Sequence, residues 1–101
     1  MPSSNRSLSS QSKHDRKVLQ IVMEYINKGY QIKADIPGYS KPGPILGYRP
    51  DIVASKGDHK TIIEVETPDS IGSDRDLAQQ KAFRQAAEGE PKIHYKRLIA
   101  E

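Results

Sequence analysis

Apolar positions along the chain first follow a helical period and then a two-residue one. Val18, Leu19, Val22, Tyr25 and Ile26 fall on one stripe of a helix, the pattern of an amphipathic element laid on a core. Ser12 and Asp15 have capping-box spacing at its start, and Gly29 marks its end. Tyr30 to Ile36 alternates and predicts a half-buried strand. Pro37 to Gly47 contains three prolines and three glycines and predicts a loop. Two strand-like runs, Arg49 to Ala54 and Thr61 to Thr67, then flank a polar turn centred on Gly57-Asp58. Pro68 ends the second run. Ser73 and Asp76 form a second capping box, opening a helix to about Ala87 with Leu77, Ala78, Ala82, Phe83 and Ala86 as its apolar side. Gly89 and Pro91 close it, and Ile93 to Ala100 reads as a final strand. The expected order is α-β-β-β-α-β, an α/β (α+β) fold with a mixed sheet flanked by helices. Its last strand-helix-strand unit implies a parallel pair with a right-handed crossover.

The hairpin carries the candidate chemistry. A turn at Gly57-Asp58 pairs Val53 with Ile62 and Asp51 with Glu64. Opposed residues share a face with Cβ atoms about 5 Å apart. Glu66 lies two residues beyond Glu64 and so joins that face. Ile52, Ala54, Ile63 and Val65 form the opposite, core-directed face. Like charges opposite one another destabilise a sheet, and a divalent cation is the natural group to offset that cost.

Composition narrows the classes. The chain has 101 residues, 35% of them hydrophobic, no cysteine and a net charge of +3. One small domain fits this length. Disulfides and cysteine-bound zinc are excluded. No apolar run reaches membrane-helix length and the N-terminus has no signal-peptide core, so a cytoplasmic protein is expected. The serine-rich stretch 1–11 has almost nothing apolar and is expected to be a disordered tail, leaving 12–101 as the folded domain.

Pro50-Asp51 followed by Glu64-Val65-Glu66, in this element order and with Glu64 thirteen positions after Asp51, resembles the core of the PD-(D/E)xK nuclease superfamily, which includes restriction endonucleases and archaeal Holliday-junction resolvases. The match is literal except at its last position, where Glu66 stands in place of the family lysine. The resemblance spans Ser12 onward and implies metal-dependent hydrolysis of DNA phosphodiesters. Asp51 and Glu64, with the backbone carbonyl of Val65, would hold Mg²⁺ or Mn²⁺. Glu66 would serve as general base or as a further metal ligand. The missing cation would come from Lys81 on the following helix, beside Gln79, whose spacing to Phe83 reproduces a glutamine-aromatic pattern of one nuclease branch. Asp15 is the better candidate than Glu24 for the acid that resolvase-like members carry on their first helix. A homodimer on DNA, with no organic cofactor, is implied.

Other readings accompany these. A nuclease fold that no longer cuts would act as a DNA-binding or assembly module. An unrelated α+β interaction protein would carry the acids as surface residues, paired with a cation such as Lys33. His59 reads as an exposed turn residue, and His14 and His94 have no ligand partners at a recognisable spacing. Ser70 and Ser73 read as turn and cap. Lys81, Arg84, Lys92, Lys96 and Arg97 form a solvated face, or in the nuclease reading part of a phosphate-binding surface, with Tyr39 and Lys41 available in the loop.

Overall fold

The structure, a computed structural model, describes residues 8–100. Its elements are α1 (Leu8–Asn27), β1 (Gln31–Ala34), β2 (Ile52–Lys56), β3 (His59–Glu66), α2 (Asp74–Ala87) and β4 (Ile93–Ile99). This is the α-β-β-β-α-β order that the hydrophobic pattern predicts. The strands form one mixed sheet in the order β1-β2-β3-β4, antiparallel at the first two pairings and parallel at the last. In the hairpin, Val53 faces Ile62 and Lys56 faces His59, the expected register. Gly57, at φ +60°, takes the first central position of the two-residue turn. That is the place a II′ hairpin turn reserves for glycine.

The first helix departs from expectation twice. It begins at Leu8 rather than Ser12. Residues 8–11 of the expected tail are therefore helical, while residues 1–7 lie outside the described part of the chain. Extending a helix already anchored by packing costs far less than nucleating one, so a polar first turn is tolerated. Its buried face is also rotated. His14, Val18, Ile21 and Val22 face inward, whereas Leu19 and Ile26 are more than two-fifths exposed. Positions 14, 18, 21 and 22 fill the single arc that a sheet can cover, and Leu19 and Ile26 lie at its edge.

Val18, Ile21 and Val22 pack against Ala34, Ile36, Ile52, Ala54, Ile63, Val65 and Ala100 to make the main core. Each fully buried Val or Ile side chain there contributes about 1.5–3 kcal/mol. The opposite face of β3 is covered too. Every residue from Thr61 to Thr67 is buried, including Glu64 at 4% and Glu66 at 3% exposure. The acids therefore face a second interior layer rather than solvent.

The second helix covers that layer. Ser73 caps it, its Oγ accepting from the Asp76 amide at 3.1 Å. The inward residues are Asp76, Gln79, Ala82 and Phe83, while Leu77 is mostly exposed. The expected apolar side is thus turned by one position. The helix sets Asp76 against Arg97 and Phe83 against Tyr95 of the sheet. Phe83 and Tyr95 are 6.0 Å apart between ring centroids. The register of β3 with β4 pairs Ile62 with Tyr95, Glu64 with Arg97 and Glu66 with Ile99, so Tyr95 and Arg97 share the acidic face.

Candidate functional site

Asp51 stands just before β2, with Pro50 fully buried behind it. Its backbone is tied across the sheet by the Asp35 amide, which donates to the Asp51 carbonyl at 2.9 Å. Two reciprocal bonds then lock it to β3. The Asp51 amide donates to Glu64 Oε1 at 2.9 Å, and the Val65 amide donates to Asp51 Oδ2 at 2.8 Å. The register predicted from the turn thus brings Asp51 and Glu64 together, and the backbone holds both carboxylates.

Helix α1 contributes a residue that sequence reasoning left out. His14 is 3% exposed. Its Nε2 lies 3.0 Å from Asp51 Oδ1, and its Nδ1 lies 2.9 Å from Asp15 Oδ1. The ring thus lies between two carboxylates. Asp15, the expected first-helix acid, therefore reaches Asp51 through His14, and it also accepts from Gln11 Nε2 at 3.0 Å. The clue in the sequence was spacing: His14 lies one helical turn before Val18 on the inward stripe.

Glu66 is held from the loop that follows β3. In the turn Thr67-Pro68-Asp69-Ser70, the Ser70 amide donates back to the Thr67 carbonyl at 3.0 Å. This returns the Ser70 hydroxyl to Glu66, to which it donates at 2.5 Å. Ser70 is a turn residue as expected, and it also orients Glu66.

The cation beside the acids is Arg97, opposite Glu64 in register. Asp76 clamps it: Arg97 Nη2 donates to Asp76 Oδ2 at 2.7 Å and Nε reaches Oδ1 at 3.4 Å. Arg97 is stabilised in its charged form chiefly by the Asp76 hydrogen bond, against the opposing effect of burial, and the charges of Asp76 and Glu66 add to it. Burial pushes the Asp76 carboxyl up, but hydrogen bonds from Arg97, the Gly72 amide and Gln80 together hold it below the usual carboxylate range. A carboxyl depressed in the folded state adds stability above its unfolded pKa and loses it as pH falls through the folded value. Asp76→Asn is expected to destabilise the fold by about 1.5–3 kcal/mol near neutral pH. The deficit relative to the unchanged protein should shrink below about pH 4, measured by urea unfolding across a pH series.

Lys81, the expected source of the missing cation, is exposed. It lines an outer groove of α2 with Leu77, Gln80, Arg84, Gln85 and Glu88. Two positions along a helix from the buried Gln79, it turns away from the sheet, since neighbours at that separation do not share a face. Gln79 does lie on the inward side with Ala82 and Phe83. The expected basic surface is likewise scattered. Lys96 lies over Tyr25, on the α1 side, and Lys92 pairs with Asp58 at the hairpin tip. The period-2 alternation sends Lys96 and Arg97 to opposite faces. Lys33 is exposed, in a groove with Gln31, Ile32, Ser40, Val53, Ser55 and Lys60. Lys41 pairs with Asp35 at 3.5 Å. His59 and His94 are exposed and stack together at 5.6 Å, at the strand ends remote from Glu66.

Tyr95 Oη is buried without a hydrogen-bond partner among the described residues. Burial, followed by the charge of Glu64, pushes its phenol up to about 12. Removing a buried hydroxyl that lacks a partner is nearly neutral or stabilising. Tyr95→Phe is therefore expected to leave the urea midpoint unchanged or raised, and a loss above about 1 kcal/mol would reveal a hydrogen bond.

A sequence profile described as REase_AHJR-like, an AHJR-like family, matches residues 7–100. The chain belongs to this restriction-endonuclease-like family. A search among curated proteins finds no match. The match covers every element of the restriction-endonuclease-like fold described above, from α1 to β4. No helix among the described residues is long and apolar enough to cross a membrane.

The donor set can be tested against a metal ion. Asp51 and Glu64 are hard oxygen donors, and a carboxylate that accepts one bond on an oxygen retains further lone pairs. Among the described residues, no group of three or more His, Cys, Asp or Glu is gathered closely enough to hold an ion. Magnesium is commonly held by one or two carboxylates with waters and substrate phosphate completing its octahedron. The Asp51/Glu64 pair fits that mode. Glu66, turned to Ser70, does not complete a group of three with them. The cost of opposing like charges is offset by the protein's own donors: His14, the Asp51 and Val65 amides, Ser70 and Arg97.

Proposed function

We propose that this restriction-endonuclease-like chain is a Mg²⁺- or Mn²⁺-dependent DNA endonuclease. The observation that carries the reading is the reciprocal Asp51–β3 lock, which holds two carboxylates side by side at the end of a hairpin. Asp51 and Glu64 would hold the ion, with the Val65 carbonyl as a further oxygen donor. When bound, it supplies an acidified water and neutralises charge developing at phosphorus.

The remaining work falls to this chain's own side chains. His14 keeps Asp51 oriented from the side away from Val65. Glu66, positioned by Ser70, takes the proton of the attacking water. Arg97 replaces the family lysine as the cation facing the phosphate, and Asp76 fixes its planar fork. Gln79 lines the same inner layer. Hydrolysis forms one P–O bond to water and breaks one ester P–O bond, and the departing oxygen takes up a proton.

The test is nicking of supercoiled plasmid with Mg²⁺ or Mn²⁺ against a chelator control, alongside Mn²⁺ titration calorimetry. Metal-dependent nicking supports the reading. Absence of both nicking and Mn²⁺ binding removes it and leaves the second reading, a DNA-binding or assembly module built on the nuclease fold. The specific observation that favours this module is Glu66 itself, buried, held by Ser70 and charge-balanced by Arg97. A homodimer is part of the proposal and would have twice the 11.3 kDa chain mass by light scattering.

A further inference from the structure

Helix α1 carries a cationic stripe beside the acidic site. Lys13, Arg16, Lys17 and Gln20 stand at i, i+3, i+4 and i+7 on one face. Together with Ala100 they line a groove of about 250 Å³. Two contacts connect this groove to the site. Lys13 is the immediate neighbour of His14, which touches Asp51. Ala100 forms the other wall, and its amide donates to the Glu66 carbonyl at 2.7 Å.

The stripe's charge is not internally spent. Among the described residues, none of Lys13, Arg16 and Lys17 has an ion-pair partner. The nearest acid in sequence, Asp15, is engaged by His14 and Gln11. Glu24, one turn past Gln20, closes the stripe at its far end and contacts Gln20 Nε2 at 3.4 Å. A rise of 1.5 Å per residue spreads Lys13 to Gln20 over about 10 Å. The outer groove of α2 differs in character, since it mixes Lys81 and Arg84 with Glu88 and Leu77.

We propose that the Lys13–Arg16–Lys17 face of α1 is a DNA-backbone track that leads phosphates to the Asp51/Glu64/Glu66 end of the sheet. Unpaired cations repeating along a helix neutralise successive phosphates without reading bases, so the contact is salt-dependent and sequence-independent. The choice of polyanion rests on the nuclease reading, but the test is independent of catalysis.

Binding of a fluorescent DNA duplex is measured by anisotropy over a salt series in chelator, where no metal-dependent cutting can occur. The unchanged protein is compared with a Lys13→Gln/Arg16→Gln/Lys17→Gln variant and with Lys81→Gln/Arg84→Gln, each checked for an unchanged thermal melt. Each lost phosphate contact lowers the slope of log K against log salt by about 0.9. The stripe variant is expected to lose roughly 2–3 in slope, corresponding to a roughly hundredfold or greater loss of affinity near 0.1 M salt. The α2 variant is expected to keep the slope of the unchanged protein.

An unchanged slope in the stripe variant, loss confined to the α2 variant, or no DNA binding by the unchanged protein would overturn the proposal. So would loss of binding to phosphatidylserine vesicles with DNA binding intact. Nicking and Mn²⁺-binding assays on the same proteins keep the two readings apart: absence of both with a normal slope effect removes the nuclease and leaves the track.

Discussion

Asp51→Asn is expected to abolish metal-dependent nicking while leaving the protein folded. The asparagine keeps an oxygen to accept the Val65 amide, which donates to Asp51 Oδ2 at 2.8 Å. It also keeps the backbone amide that serves Glu64. It removes the charge that a divalent cation requires from this position. A metal ion supplies several kcal/mol of transition-state stabilisation, and at 1.36 kcal/mol per decade its loss lowers the rate about a thousandfold or more. Asp51→Ala should be inactive too, but for two reasons at once. It also leaves the buried Val65 amide unserved, at about 1–3 kcal/mol. The measurement is plasmid nicking rate together with the urea midpoint for both variants. Undiminished nicking by Asp51→Asn would remove Asp51 from the catalytic machinery. A midpoint that falls equally in both variants would show that the carboxylate charge, not its hydrogen bond, supports the fold.

Glu66→Lys would complete the Asp/Glu-x-Lys pattern that the sequence resembles, and it is expected to damage the protein. Glu66 is 3% exposed and accepts the Ser70 hydroxyl at 2.5 Å. Its charge helps to hold Arg97 in the cationic form. A lysine there would bury an ammonium beside a guanidinium and remove the nearer of the two acceptors of the Ser70 hydroxyl. Removing one partner from a buried charge arrangement costs about 3–5 kcal/mol, a large part of the roughly 5–15 kcal/mol that stabilises an ordinary domain. Glu66→Gln keeps the acceptor for Ser70 and should cost less than the lysine, while removing the group proposed to take the water's proton. The combination Glu66→Lys/Arg97→Gln should recover part of the stability lost in the lysine variant, because the like-charge contact is relieved. The check is urea unfolding of all three proteins. A Glu66→Lys protein as stable as the parent would mean that Glu66 and Arg97 are not coupled. Glu66 on β3 is thus part of a charge network whose cation, Arg97, stands on β4.

The same comparison shows what was legible beforehand. The hairpin register followed from one turn, because a two-residue loop pins every pair beyond it. Pro50-Asp51 and Glu64 therefore met as expected, and so did the element order. The faces of the helices were harder to read. An apolar stripe with extra members at its edge, such as Leu19 and Ile26, has no unique centre until a sheet selects one. His14 was consequently passed over, although its spacing from Val18 was visible. Helix α2 misled more strongly, because its first two turns direct Asp76 and Gln79 inward rather than Leu77. Hydrophobic periodicity has no means of representing a helix that packs on charged groups.

The chain's local pattern thus determined its elements, their order, the hairpin pairing and the place of two acids, since each depends on residues near one another in sequence. Which face each helix turns to the sheet was decided by the tertiary structure alone. That packing buried the acids on a second interior face, brought His14 to Asp51 and returned Ser70 to Glu66. It also exchanged Lys81 for Arg97 as the site's cation. These contacts join residues distant along the chain, and their energies come from desolvation and charge pairing that exist only once the layers have closed.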